Sequence, residues 1–188
     1  MTIIGLIRHG GMWLLAAAGV ARFEFERALS HHDRRGRGGD AGRAVYWARR
    51  AVAHGSAEAR RLLAAFHSVG YGVEKNAVEA ARLYQEGANA GDAASHFSLA
   101  LCYRDGAGVE RSLERTFEHW LQAAEGGHVE AQAAVAQCLF TGQGTEADLE
   151  MAAGWARLAL KNDAADAAEL VARIEAALRR EYHSAKAV

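Results

Sequence analysis

The chain has 188 residues, two cysteines, no proline and a formal net charge of −1. That length admits one compact domain or a short repeat array, two cysteines exclude a disulfide framework, and the near-neutral balance excludes a global electrostatic pull toward nucleic acid. Abundant alanine, absent proline and few β-branched residues favour helix throughout, because alanine loses no side-chain entropy and no ring breaks a turn.

Residues 1–21, "MTIIGLIRHGGMWLLAAAGVA", are apolar apart from Arg8 and His9. No stretch reaches the roughly 18–20 uninterrupted apolar residues of a membrane span. Two readings stand side by side: an apolar helix capping the fold, or a signal segment with Gly19 and Ala21 as small cleavage-site residues. The first fits a cytoplasmic chain, the expected compartment, and the second an exported or periplasmic one. "LIRHGG" (Leu6 to Gly11) resembles the Arg-His-Gly signature of histidine phosphatases. That chemistry needs an α/β domain with partner groups around the histidine, and a helical chain leaves no room for one.

The run "HHDRRGRGGDAGR" (His31 to Arg43) comes next. Residues 1–61 hold 11 Lys/Arg against 5 Asp/Glu, whereas 62–188 hold 11 against 18. A basic N-terminal third invites an acidic partner. With no aromatic residues interleaved, the run reads as a solvated turn rather than a nucleic-acid footprint.

Beyond it the apolar spacing becomes helical. It predicts helices over "AEARRLLAAF" (57–66), "AVEAARLYQEGA" (77–88), "AASHFSLALCY" (93–103) and "LERTFEHWLQAA" (113–124), with a last one in "AADAAELVARIEAALRREY" (164–182). Glycine pairs punctuate them at a fixed step: Gly70 and Gly72, Gly106 and Gly108, Gly142 and Gly144, 36 residues apart. Ala28, Ala64, Ala100, Ala136 and Ala172 keep the same step, as do Asp40, Asn76, Ser112 and Asp148. Gly55, Gly91 and Gly127 form a further series, with Asp163 in the next slot.

Each series has a physical task. The alanine marks where a second helix approaches closely, since a larger side chain there would overpack by about 1–3 kcal/mol. The glycine after it ends the first helix of the unit, helix A, in a left-handed cap. Asp, Asn or Ser then caps helix B, and only Glu79 completes a capping box. Trp47, Tyr84, Trp120 and Trp155 fall near one position of helix B. A single glycine pair resembles a phosphate cradle, but three copies without a preceding strand or a Gly-Lys-Ser/Thr ending are corners between helices. Neighbouring units stack to bury a core that none could bury alone.

This layout resembles the Sel-one-like repeat (SLR) family, a relative of tetratricopeptide repeats. Residues 93–128 carry its pattern at Leu99, Ala100, Tyr103, Gly106, Gly108, Val109, Trp120, Ala123, Ala124 and Gly127. Residues 57–92 and 129–164 match with His67 and Leu139 at the tyrosine position. A degenerate unit at 22–56 keeps Gly36, Asp40, Ala44, Trp47, Ala51 and Gly55 but departs at Arg27 and Arg34. The resemblance implies an all-α fold, a right-handed α/α superhelix (solenoid) of about four helix–turn–helix repeats. Their expected bounds are 22–56, 57–92, 93–128 and 129–163, within a solenoid at 22–163. Residues 164–188 would cap it and continue, with Val171 and Ala172 in register as an unpaired helix A.

The expected function is that of a non-catalytic scaffold or adaptor for a protein or peptide, with no cofactor, no metal and no nucleic acid. By analogy with tetratricopeptide geometry, A helices line the concave face. Register then places Phe25, Leu29 and His32, next Arg61, Ala65 and Ser68, next Phe97, Leu101 and Arg104, and finally Ala133, Gln137 and Phe140 on it. Arg61, Phe97, Leu101, Arg104, Gln137 and Phe140 form the expected partner-binding set, with Phe97, Leu101 and Phe140 open between groove and core. Two alternatives come from other classes: a hydrolase of cell-wall-derived ligands, as in cysteine-rich relatives, and a weak binder of nucleic acid or an acidic partner. Arg61, Arg104 and Gln137 offer the hydrolase no base. His31 and His67 share a repeat slot without an evident third metal ligand. Cys102 and Cys138 share another and are expected to be free, buried thiols, because adjacent A helices lie beyond disulfide reach.

Overall fold

The computed structural model describes residues 19–31 and 40–186. The cap-or-signal segment up to residue 18, the Arg-His-Gly tripeptide, His32 and the arginines Arg34, Arg35 and Arg37 lie outside the described residues. Among those described, all regular structure is helical. It comprises α1 (19–31), α2 (Ala41–Ala53), α3 (Ala57–Val69), α4 (Ala77–Asn89), α5 (Ala93–Asp105), α6 (Leu113–Glu125), α7 (Val129–Thr141), α8 (Leu149–Lys161) and α9 (Ala167–Lys186). Helices α2 to α8 each have 13 residues, because the residues that start and stop them recur at one step.

The B helices start where the capping series stands. Asp40 Oδ1 accepts the Arg43 amide at 2.9 Å, Asn76 Oδ1 that of Glu79 at 3.0 Å, Ser112 Oγ that of Arg115 at 3.2 Å and Asp148 Oδ1 that of Met151 at 2.8 Å. Each satisfies one of the free amides of a first turn. The expected capping box at Asn76 closes on one side only, since the Glu79 carboxylate turns to Arg82 at 2.6 Å. Two of the A helices are capped as well, by Ser56 and Asp92, while His128 stands at the N-cap of α7 without a side-chain bond.

The two glycines of a pair do different work. Gly106 ends α5 at φ 69° with its amide on the Cys102 carbonyl, a left-handed cap. Gly144, at φ 77°, lies on the first residue of α6, where any Cβ would collide with the Leu113 carbonyl. The same collision awaits a Cβ on Gly72 against Ala41, the first residue of α2. So the first glycine stops a helix, and the second lets the corner rest on the helix B of the preceding repeat. The corner is closed by the next cap residue, whose amide bonds the carbonyl at the family tyrosine slot: Asn76 to His67, Ser112 to Tyr103 and Asp148 to Leu139.

The chain packs as two compact units, Met1–Gly87 and Ala88–Val188. The first has a core of Ala28, Ala44, Val45, Ala48, Leu63, Ala64, Phe66 and Leu83. The second gathers Ala100, Trp120, Ala123, Ala124, Val135, Ala136, Leu139, Ala152, Ala156, Leu170 and Ile174, among others. Ala28, Ala64, Ala100 and Ala136 are all completely buried, as close helix approach requires. Ala172 departs from the series: it is exposed. Helix α9 keeps the register only on the side facing α7 and α8, where Ala167, Leu170 and Ile174 are buried. Among the described residues no helix follows α9.

Candidate functional site

The expected partner-binding residues fall into both units. Arg61 lies half-buried on α3 of the first. In the second unit Phe97, Leu101 and Phe140 are half-buried and packed against the core rather than laid open. Phe97 stacks on the His128 ring with centroids 4.3 Å apart, and Arg173 of α9 covers Phe140, its Cζ 5.4 Å from the ring centroid. Arg104 is exposed but engaged, its Nε and Nη2 donating to the Asp105 carboxylate at 2.7 and 2.9 Å. That pairing holds Asp105 below the usual carboxylate range.

Gln137 has a different setting. With Ala133 it forms the α7 wall of an open depression of about 330 Å³, opposite Asp166, Glu169, Leu170 and Arg173 from the start of α9. Its floor is apolar and its rim carries both charges. The α9 residues were absent from the expected set, although the repeat step reaches them: Glu169 follows Ala133 by 36 and Arg173 follows Gln137 by 36. Reading α9 only as a cap hid them.

A further series escaped the sequence, a polar pairing inside each repeat. Glu24, Arg60, His96 and Gln132 occupy one slot of helix A. Glu24 is buried and holds Arg50 at 2.8 Å and His54 at 2.7 Å. Arg60 faces Glu86 at 3.9 Å, which is the slot of Arg50 with both charges exchanged. Gln132 accepts from Asn162 at 2.9 Å, in the slot of His54. His96 meets His119 instead, Nδ1 to Nδ1 at 3.1 Å. No two repeats use the same pairing.

The basic region also looks different folded. Arg27 lies over Phe23 and Trp47, at 5.5 and 5.2 Å from their centroids, and Arg50 over Trp47 and Tyr46 at 5.3 and 5.9 Å. Aromatics absent from the arginine run are thus brought to arginines by α1 and α2. Cys102 and Cys138 are free and buried. Burial pushes Cys138 up to about 11, and burial, then Asp105, raises Cys102, so both stay protonated thiols. Among the described residues no group of three or more His, Cys, Asp or Glu could hold a metal ion, and no helix is long and apolar enough to cross a membrane.

A family model described as "Sel1 repeat" matches residues 24–56, 57–92, 93–128 and 129–163, most of the chain. The chain belongs to the Sel1 repeat family. Solved Sel1 repeat structures share its fold. A Sel1 repeat protein from Oxalobacter formigenes is 28% identical with a TM-score of 0.74, over 81% of this chain and 62% of that one. A protective antigen of uropathogenic Escherichia coli with an SLR fold, c5321, is 25% identical with a TM-score of 0.70, over 77% of this chain and 31% of that one. The Sel1 chain described here therefore spans less than two thirds of either. No curated protein matches it. Its fold class is the all-α solenoid of Sel1 repeats, a fold that generally serves as a protein–protein interaction scaffold and is typically non-catalytic.

Proposed function

We propose that this Sel1 repeat chain is a non-catalytic adaptor that holds a peptide or protein segment against the A-helix face of its second unit. The observation that carries the reading is the depression between α7 and α9, where Ala133, Ala167 and Leu170 give an apolar lining and Gln137, Arg173 and Glu169 give hydrogen-bonding and charged groups. Binding grooves combine those two elements, an apolar centre for contact area and a polar rim for register. Phe140 lies next to this face, under the Arg173 guanidinium.

The half-burial of Phe97 and Phe140 decides which substitutions test this. Truncating them removes core packing along with any contact surface, so loss of binding would carry no meaning. Ala133→Trp fills the depression from its wall, and Arg173→Ala removes a rim charge from an exposed site. A ligand selected from a random peptide library on the intact chain should lose at least about tenfold in affinity with either variant, equivalent to about 1.4 kcal/mol. Helicity should stay at the level of the unmodified chain. Unchanged affinity in both folded variants would overturn the reading.

A further inference from the structure

The pairing slot inside the repeats is filled by a buried carboxylate with its arginine and histidine partners, by an arginine–glutamate pair and by two amides. In the third repeat it is filled by two histidines. His96 of α5 and His119 of α6 face each other Nδ1 to Nδ1 at 3.1 Å, with ring centroids 5.3 Å apart. Both rings are half-buried. Tyr103 lies parallel to His119 on its other side, centroids 5.4 Å apart at 6°, and Arg115 lies over Tyr103 and donates to its hydroxyl at 3.2 Å. His119 stands where Trp47, Leu83 and Trp155 stand in the other repeats, so a polar ring has replaced an apolar one at a packing position.

A hydrogen bond between two Nδ1 atoms restricts where the protons sit in the neutral pair. One ring must carry its proton on Nδ1 and donate, and the other must offer a bare Nδ1 and carry its proton on Nε2. A first added proton goes to the free Nε2 of the donor ring and leaves the bond in place. A second goes to the accepting Nδ1, removes the lone pair and leaves two cations with N–H groups pointing at each other. The charged groups nearby do not rescue that state. From α6, Glu118 favours the cation and Arg115 opposes it. From α5, the Tyr103 ring stacks on His119, and at its N-cap the Asp92 carboxylate is bound to the Ser95 amide and hydroxyl. On α7, His128 faces Glu130 at 3.3 Å and stacks on Phe97.

We propose that the third repeat, residues 93–128, is a proton-sensitive joint in which double protonation of the His96–His119 pair drives α5 and α6 apart. Burial, then the neighbouring His96, holds His119 below the usual histidine range, which agrees with a ring kept neutral by its surroundings. The sign follows from linkage. In the unfolded chain His119 takes up a proton as pH falls through about 6.5, while in the folded chain it resists. The stability it contributes is therefore complete above that pH and is lost as pH falls below it. The inference goes beyond the adaptor reading and holds whether or not the adjacent face takes a peptide.

Urea unfolding of the full chain, followed by helicity from about pH 8 to pH 5, tests it against two variants built from the chain's own repeats. His119→Leu installs the residue found at Leu83, and His96→Gln the residue found at Gln132. Between pH 6.5 and 5.5 the unfolding constant of the unmodified chain should rise up to about tenfold more than that of His119→Leu, the effect of one additional proton bound on unfolding. His96→Gln should fall between the two, because His119 stays half-buried in it. Parallel pH profiles would overturn the joint. Nitrogen-edited NMR of the histidine rings gives an answer that does not depend on a variant folding. At about pH 8 one ring of the pair should be the Nδ1–H tautomer and the other the Nε2–H tautomer. Two Nε2–H tautomers titrating independently would overturn it as well.

Discussion

At the scale of single residues, the positions that matter most are those where the backbone leaves no choice. Gly142 and Gly144 both have positive φ, 72° and 77°. Around Gly142 a Cβ meets only Ala147 and Thr145 atoms at 3.5 Å or more, so Gly142→Ala should cost about 1–2 kcal/mol of left-handed strain. Gly144→Ala adds a collision with the Leu113 backbone and should cost more, lowering the urea midpoint further than Gly142→Ala does. Equal midpoints would mean that the corner does not rest on α6. Series of this kind were legible before folding because one residue type was required at one step. The helix-B caps and the first glycines were legible for that reason, whereas the helix-A caps Ser56 and Asp92, which form no series of one residue type, were not. The collision that fixes the second glycine was not, since it involves a backbone carbonyl that every residue type carries.

At the scale of elements, each helical hairpin is held by an apolar seam and a distinct polar pairing. Glu24 shows what such a pairing costs when broken. Its side chain is only 2% exposed, and Arg50 and His54 are its two partners. Arg50→Ala with His54→Ala would strand a buried carboxylate and should destabilise the first unit by about 3–5 kcal/mol. Glu24→Leu in the same background should recover most of that loss, measured by thermal unfolding. The pairings escaped the sequence because they follow no residue type: the slot holds Glu, Arg, His and Gln in turn, and only geometry shows that each finds a complement. At α9 one position departs from the series. Register placed Ala172 with the buried alanines, whereas the described α9 buries the side turned to α7 and α8. Ile174, completely buried, carries that contact. Ile174→Ala should cost about 2–5 kcal/mol, and Ala172→Ser should be nearly silent.

At the scale of the whole molecule, stacked Sel1 repeats are typically scaffolds that offer a surface to a protein partner. The thiols are buried and held protonated, and Arg104 is occupied by Asp105. The depression between α7 and α9 in the second unit has walls that are successive members of two repeat slots, Ala133 with Glu169 and Gln137 with Arg173. Stability of such arrays is a sum of repeat and interface terms, so a partner lying along α7 and α9 would add to the contacts between those two helices. The most direct test is amide hydrogen exchange of the intact chain with and without a peptide selected on it. The adaptor account predicts slowed exchange in α7 around Gln137 and in the first turns of α9 from Ala167 to Arg173, with α6 and α8 unchanged. Protection confined to α6 and α8, or protection absent everywhere at saturating peptide, would contradict it.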